Sequence, residues 1–170
     1  MLKEKVMNAI NDQINAEFYS AYLYLSMAAW FENKGLSGFA NWMRVQYQEE
    51  TAHAMKFFDY VVERGGRVIL TPIASVETDF ISVVEIFEKA LAHEEYITDR
   101  INKIMDVAIA ESDYASRSFL DWFVDEQVEE EANVNEILDT LRLIDGKGNG
   151  LFMLDREMKQ RVFVDSTKTE

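Results

Sequence analysis

The sequence of 170 residues has no cysteine and only one proline. Without thiols there can be no disulfide, no thiolate zinc site and no cysteine-ligated iron–sulfur cluster, so any metal site must be built from oxygen and nitrogen donors. One proline and seven glycines are too few for a chain of many tight turns. That scarcity argues against an all-β fold, and the abundance of Ala, Glu, Leu, Met and Lys argues for a helical one. Long apolar runs are also missing: charge interrupts MLKEKVMNAINDQINAEF every few positions, so neither a signal peptide nor a membrane span is expected and the chain is read as cytoplasmic. Positive charge is scarce as well, with 17 Lys and Arg against 31 Asp and Glu and a net charge of −14. Nucleic-acid binding needs clustered basic residues and is not expected. An acidic surface suits a protein that attracts cations, and equally a merely soluble one.

The chain fits a single domain spanning 1–170. Four long helical patterns cover about 3–33, 37–63, 82–111 and 114–143, and a short fifth covers about 151–163. Asn33-Lys34-Gly35 closes the first, with Ser37 as the expected N-cap of the second; Arg64-Gly65-Gly66 closes the second. A stretch containing Pro72 and long enough to span a bundle leads to the capping pattern Ser82-x-x-Glu85, and Asp113 is placed to cap the fourth helix. The terminal VDSTKTE is expected to fray. Two hairpins joined by one long crossover describe an all-α, ferritin-like antiparallel four-helix bundle with a short added helix.

Helical phase then shows which polar residues fall on faces that must be buried. On the first helix, Ile10, Ile14, Glu17, Ala21, Tyr24 and Ala28 share one stripe, and on the second Phe39, Met43, Gln46, Glu50, His53, Phe57 and Val61 do so. The third aligns Val83, Phe87, Leu91, Glu94, Ile97, Ile101 and Met105, and the fourth Leu120, Phe123, Gln127, Glu130, Val134, Leu138 and Leu141. Every long helix therefore places a carboxylate among its core positions, and no Lys or Arg occurs in any of these stripes. Burying an ionised carboxylate without a partner costs several kcal/mol or more. A bound cation would supply the countercharge, and oxygen donors with one imidazole suit iron or manganese. The motif Glu50-x-x-His53 sets both side chains one turn apart on one face, able to hold one ion. ExxH alone arises readily by chance in a chain this rich in Glu; its coincidence with Glu17, Glu94, Gln127 and Glu130 carries the argument.

The chain resembles the bacterial non-haem ferritins over essentially its whole length, through YSAYLYLSMAAWF at Tyr19 to Phe31, EETAH at Glu49 to His53, Glu94, EQVEEE at Glu126 to Glu131, and the short terminal helix. The resemblance implies a ferroxidase that oxidises Fe(II) with dioxygen or hydrogen peroxide and stores ferric oxide mineral inside a shell of 24 subunits. It implies a first iron on Glu17, Glu50 and His53, a second on Glu50, Glu94 and Glu130 with Gln127 beside them, and Tyr24 near this centre. Glu49, Glu126 and Glu129 match ligands of a third iron site, with Glu130 available to both. The short fifth helix would pack near a symmetry axis.

Departures from related patterns narrow the choice. A symmetric di-iron site has a second ExxH, whereas Gln127-x-x-Glu130 stands here and Asn133 occupies the position of its His. The two metal positions should therefore differ in affinity. Thr51 follows Glu50 where bacterioferritin would carry the haem-ligating methionine, so no haem is expected, and rubrerythrin would add a cysteine-rich module. The small DNA-protecting ferritins place their metal between subunits. His93 is read as a flank or interface residue, Trp30, Trp42, Trp122 and the methionines as packing, and Glu95 and Glu131 as lining the storage interior or simply solvated. Two rivals remain: a di-iron or di-manganese oxidase, peroxidase or catalase without storage, and a metal-free bundle whose polar core sets helix register.

Overall fold

A computed structural model of the protein describes residues 1–168. Four long helices run up and down: α1 (Glu4–Asn33), α2 (Ser37–Glu63), α3 (Val83–Ala110) and α4 (Tyr114–Leu143), followed by α5 (Gly148–Met158) and a 3-10 turn at Ser166–Lys168. α1 pairs with α2 and α3 with α4, and α1 packs against α3. No strand occurs among the described residues, and no helix there is long and apolar enough to cross a membrane.

The ends of the long helices follow the sequence signals, with one exception. Ser82 Oγ accepts from Glu85 N at 3.1 Å and Asp113 Oδ1 accepts from Ser116 N at 3.2 Å, satisfying otherwise orphaned donors of α3 and α4. Gly35 at φ 75° closes α1 in the left-handed conformation that a residue without Cβ adopts freely. Ser37 does not cap α2: Leu36 precedes the helix and offers no side-chain hydrogen bond. The cap comes instead from Asp155 of α5, whose Oδ1 accepts from Gly38 N at 2.8 Å and Phe39 N at 3.1 Å. A Cβ on Gly38 would lie 1.5 Å from the Asp155 carbonyl oxygen, so this close approach requires glycine.

The crossover climbs the outer face of α1, which satisfies its backbone without a sheet. Asn11 Nδ2 donates to Arg67 O at 3.1 Å while its Oδ1 accepts from Ile69 N at 2.8 Å; Asn15 Nδ2 reaches Thr71 O and Ser26 Oγ reaches Glu77 O. The segment therefore enters α3 at the end of the bundle where α2 began, and α3 runs antiparallel to α1.

Two regions depart from expectation. α5 starts earlier than 151, at Gly148, and ends sooner than 163, at Met158, where Asn41 Nδ2 binds the carbonyls of Met158 and Arg161 and draws the chain out of the helix. The tail does not fray through 164–168: Lys56 Nζ donates to Thr167 O at 3.2 Å and Ser166 Oγ to Glu126 Oε1 at 3.2 Å. The last two residues of the VDSTKTE expectation lie outside the described residues.

All of the expected stripe residues on α1, α2 and α4 are buried. On α3, Leu91 and Met105 are only half-buried, and Ile86, Ala90, Ile104 and Ala108 are buried beside them, because the buried face is wider than a single row of positions. The apolar core is split in two. One cluster packs Tyr24, Phe31, Phe39, Met43, Phe87 and Leu138 at the α5 end; the other packs Ile10, Phe57, Val61, Ile101, Leu120 and Phe123 at the opposite end. Between them lies a layer of buried polar side chains: Gln13, Glu17, Ser20, Gln46, Glu50, His53, Glu94, Gln127 and Glu130.

Candidate metal centre

Helical phase brings five charged or imidazole side chains from four helices to this layer. Glu17, Glu50, His53, Glu94 and Glu130 are each 3% exposed or less, burial at which ionised groups persist only when paired. Ligand atoms of Glu17, Glu50 and His53 lie within 4.8 Å of one another, and so do those of His53, Glu126 and Glu130. His53 is thus shared by two groups, with Nδ1 3.7 Å from Glu50 Oε2 and Nε2 3.5 Å from Glu126 Oε1.

Neutral amides orient the carboxylates without neutralising them. Gln13 Nε2 donates to Glu17 Oε1 at 2.8 Å, and Gln13 Oε1 accepts from Arg100 Nε at 2.8 Å, which fixes the direction of the amide. Gln46 Nε2 donates to Glu130 Oε2 at 2.9 Å. Gln127 Nε2 lies 3.3 Å from Glu94 Oε2 and 3.2 Å from Glu94 O, and Tyr24 Oη donates to Glu94 Oε1. Three polar atoms of the layer are left over: Glu17 Oε2, Gln46 Oε1 and His53 Nε2 are buried with no hydrogen bond. Such atoms are rare in native interiors, and three in one layer, two of them on carboxylate or imidazole groups, fit a cation held by oxygen and nitrogen donors.

The electrostatics have the same origin. Burial pushes Glu94 up to about 7, helped by Glu17 and opposed by the hydrogen bonds from Tyr24 and Gln127. Burial and the charge of Glu94 push Glu130 up to about 7, and the same causes raise Glu50 well above the ordinary carboxylate range. Burial disfavours the His53 imidazolium, but Glu126, Glu50 and Glu17 outweigh it and hold the ring well above its ordinary value. Each carboxylate thus makes its neighbours harder to ionise and the imidazole harder to deprotonate, a conflict that a divalent or trivalent cation removes.

The remaining sequence candidates divide. Glu126 joins His53 and Glu130, and His53 and Ser166 draw it below its ordinary value against the effect of burial. Glu49 belongs to neither ligand group; its Oε2 pairs with Arg161 Nη2 at 2.7 Å. Glu129 is exposed and makes no ion pair or hydrogen bond among the described residues. His93 is no ligand: Nε2 meets Ser20 Oγ at 2.7 Å, and burial depresses the ring to about 4, leaving it neutral. Glu95 is exposed, whereas Glu131 is half-buried and accepts from Thr98 Oγ1 at 2.5 Å. Of the packing aromatics, Trp122 sits 5.6 Å from the His53 ring under Lys56, and Trp42 lies beneath Arg161.

Sequence reasoning passed over Gln13 and Arg100 and read Gln46 only as a core-stripe position, whereas it set Gln127 and Tyr24 beside the centre. Gln13 stands one helical turn before Glu17, so an amide at i−4 from a buried carboxylate was the available signal there, whereas Gln46 serves Glu130 on another helix. Arg161 gave no such signal, because its contacts depend on where the chain goes after α5.

A family model described as a ferritin-like domain matches residues 7–144. The chain is 40% identical over 166 residues to the bacterial non-heme ferritin of Staphylococcus saprophyticus, covering 98% of this chain and 99% of that one. It is 43% identical over 161 residues to that of Bacteroides fragilis strain 638R, covering 95% and 100%. Among solved structures, an engineered closed form of Archaeoglobus fulgidus ferritin superposes with a TM-score of 0.95 at 49% identity, covering 96% of this chain and all of that one. The open-pore ferritin of the same hyperthermophilic archaeon superposes at 0.94, also with 49% identity, covering 95% of this chain and 100% of that one. With a family model across most of its length, full-length bacterial relatives and the same bundle geometry, the chain belongs to the ferritin family.

Proposed function

We propose that the protein oxidises Fe(II) at the buried polar layer and stores the ferric product inside a shell of its own copies. One observation carries the reading: carboxylates from all four helices and an imidazole interrupt the apolar core, with Glu17 Oε2 and His53 Nε2 buried there without a hydrogen bond. Iron is substrate and cargo in this scheme, held in transit. Glu17, Glu50 and His53 take one Fe(II); Glu50, Glu94 and Glu130 take the other, with Gln127 and Tyr24 against Glu94. Two Fe(II) ions give up two electrons, which reduce dioxygen and two protons to hydrogen peroxide, or hydrogen peroxide and two protons to two waters.

The chain's own groups set the terms of that chemistry. Gln13 and Gln46 each hold one oxygen of Glu17 and of Glu130, while Tyr24 and Gln127 hold the two oxygens of Glu94, so these carboxylates are oriented before iron arrives. Carboxylates that ionise near neutrality exchange protons with the medium as iron arrives and leaves. A single imidazole and a Gln in place of a second ExxH make the two positions unequal, which favours departure of the product over retention of a fixed di-iron cofactor. The product leaves past His53, Glu126 and Glu130, the flank of a third site at which Glu49, held by Arg161, and Glu129 are the remaining acidic residues. The reading extends to one ferritin-like domain over 1–170, a cytoplasmic shell of 24 subunits without haem, and mineral nucleation on acidic inner surfaces.

The test adds Fe(II) anaerobically, admits oxygen or peroxide, and follows ferric absorbance together with iron co-eluting on gel filtration. The parent should elute as a large shell carrying many ferric ions per subunit, and Glu50→Ala should lose the fast phase. A small oligomer retaining a fixed pair of metals would favour the non-storing oxidase instead. Unchanged fast oxidation in Glu50→Ala would refute the centre.

A further inference from the structure

The segment after α5 folds back across α2 and α4 and reaches the flank of the polar layer. Asn41 holds the carbonyls of Met158 and Arg161 at 3.1 and 3.0 Å, so the chain turns at a fixed point. Arg161 then lies with its guanidinium carbon 4.5 Å from the centre of the Trp42 ring and Nη2 2.7 Å from Glu49 Oε2. Five residues later Ser166 donates to Glu126, and Lys56 ties down the carbonyl of Thr167. The strap therefore touches both acidic residues on the outer side of His53.

Two details mark this as more than a surface ion pair. The Arg161 side chain is only 22% exposed and that of Glu49 17%, so their pairing is poorly screened by water. Arg161 Nη1 is buried without a hydrogen bond, so the guanidinium is not seated there by complete polar satisfaction. On the other side of the flank, His53 Nε2 is buried without a hydrogen bond, 3.5 Å from Glu126 Oε1. His53, Glu126 and Glu130 converge as one ligand group, and Glu49, on α2 with His53, is missing from it.

We propose that Arg161 is a specificity-determining residue that occupies Glu49 as an internal counter-cation, keeping this carboxylate out of the ligand group at His53, Glu126 and Glu130. The inference rests on the polar layer being the iron oxidation centre. With Glu49 engaged, the flank offers an oxidised ion two carboxylates and one imidazole, enough to draw it out of the centre and too few to hold it. With Glu49 released, a third carboxylate joins and the flank becomes a retaining site. Hard, highly charged cations gain most from each added carboxylate, so the effect is greatest for ferric iron and its trivalent mimics.

Retention of redox-inert Tb(III) by the metal-free assembled protein provides a test that does not depend on oxidation activity. Ions remaining per subunit are counted after gel filtration for the parent, Arg161→Gln, Arg161→Gln/Glu49→Gln, and Asn41→Ala, which loosens the strap while preserving its charge. Arg161→Gln should retain about one further ion per subunit, the double variant should return to the parental count, and Asn41→Ala should gain part of that ion. A parental count in both Arg161→Gln and Asn41→Ala overturns the proposal, as does a gain that survives removal of the Glu49 carboxylate. If Arg161→Gln does not assemble, Asn41→Ala decides. Glu50→Ala separates the two readings: unchanged retention there strikes at the oxidation centre itself, whatever Arg161 does.

Discussion

Stripping the metal from the polar layer should make the protein lose stability as pH rises, the reverse of what acid-denatured proteins with surface carboxylates do. Glu94 and Glu130 rise from the ordinary 4.5 to about 7 in the folded chain, chiefly through burial. Between those values the folded state holds protons that the unfolded state has released, so raising the pH favours unfolding across that window. His53, raised above its ordinary value, acts in the same direction at higher pH: its contribution is complete below the unfolded value and is lost as the pH passes the folded one. Glu126 is depressed, and its contribution is lost only as the pH falls below the ordinary carboxylate value, outside this range. At about 1.4 kcal/mol per pH unit, each of the two raised acids destabilises the ionised metal-free subunit by about 3 kcal/mol. Because the two repel each other their effects do not add simply, and about 5 kcal/mol is a reasonable figure for the pair. For a chain of this size that corresponds to a fall of about 10–20 °C in midpoint between about pH 5 and pH 8. Calorimetry on chelator-treated protein measures it, with Zn(II)-loaded protein as the comparison that should lose much of the dependence. Glu94→Gln should flatten the metal-free curve in part, since burial raises Glu130, Glu50 and Glu49 as well. A metal-free midpoint that stays level or climbs over this range would refute the account of why these carboxylates are strained.

Other outcomes follow from single contacts. Gln13→Leu removes the donor that fixes Glu17 and should weaken Fe(II) or Zn(II) binding about 10–100-fold, seen by anaerobic titration, with helix content unchanged. Arg100→Ala should give a smaller loss in the same assay, since it acts on Glu17 only by holding the Gln13 amide. Tyr24→Phe deletes a hydrogen bond that favours ionised Glu94, so the pH at which half-maximal metal binding occurs should move upward. Gly38→Ala drives a methyl group into the Asp155 backbone and should detach α5 from the start of α2, measurable as loss of hydrogen-exchange protection at Gly38 and Phe39 and a destabilisation of about 1–3 kcal/mol.

The helices and the polar layer were legible in sequence because both are periodic. Glu17, Glu50, His53, Gln127 and Glu130 sit at positions that 3.6-residue geometry alone assigns to the core, and the polarity of those positions was the anomaly to explain. Local chemistry also fixed Ser82 and Asp113 as caps, since each partner lies three residues onward. Contacts between distant segments escaped. Asp155 caps a helix 117 residues earlier in the chain, and Arg161 meets a carboxylate 112 residues away. No periodic pattern encodes such pairs, and α5 ended early for the same reason, because Asn41 supplies hydrogen bonds that helical propensity cannot anticipate. Glu49 and Glu50 are adjacent in sequence and rotated about 100° apart on the helix, so their neighbourhoods separated completely.

The two ligand groups in the polar layer differ in what they demand of the bundle. Glu17, Glu50 and His53 all belong to the α1–α2 hairpin, whereas His53, Glu126 and Glu130 bridge from α2 to α4. A slip of one hairpin against the other by a single residue, about 1.5 Å, leaves the first group intact and pulls the second apart. The first is a local fixture and the second a joint, and anything that shears the hairpins, including neighbouring subunits in an assembly, acts on the joint and spares the fixture.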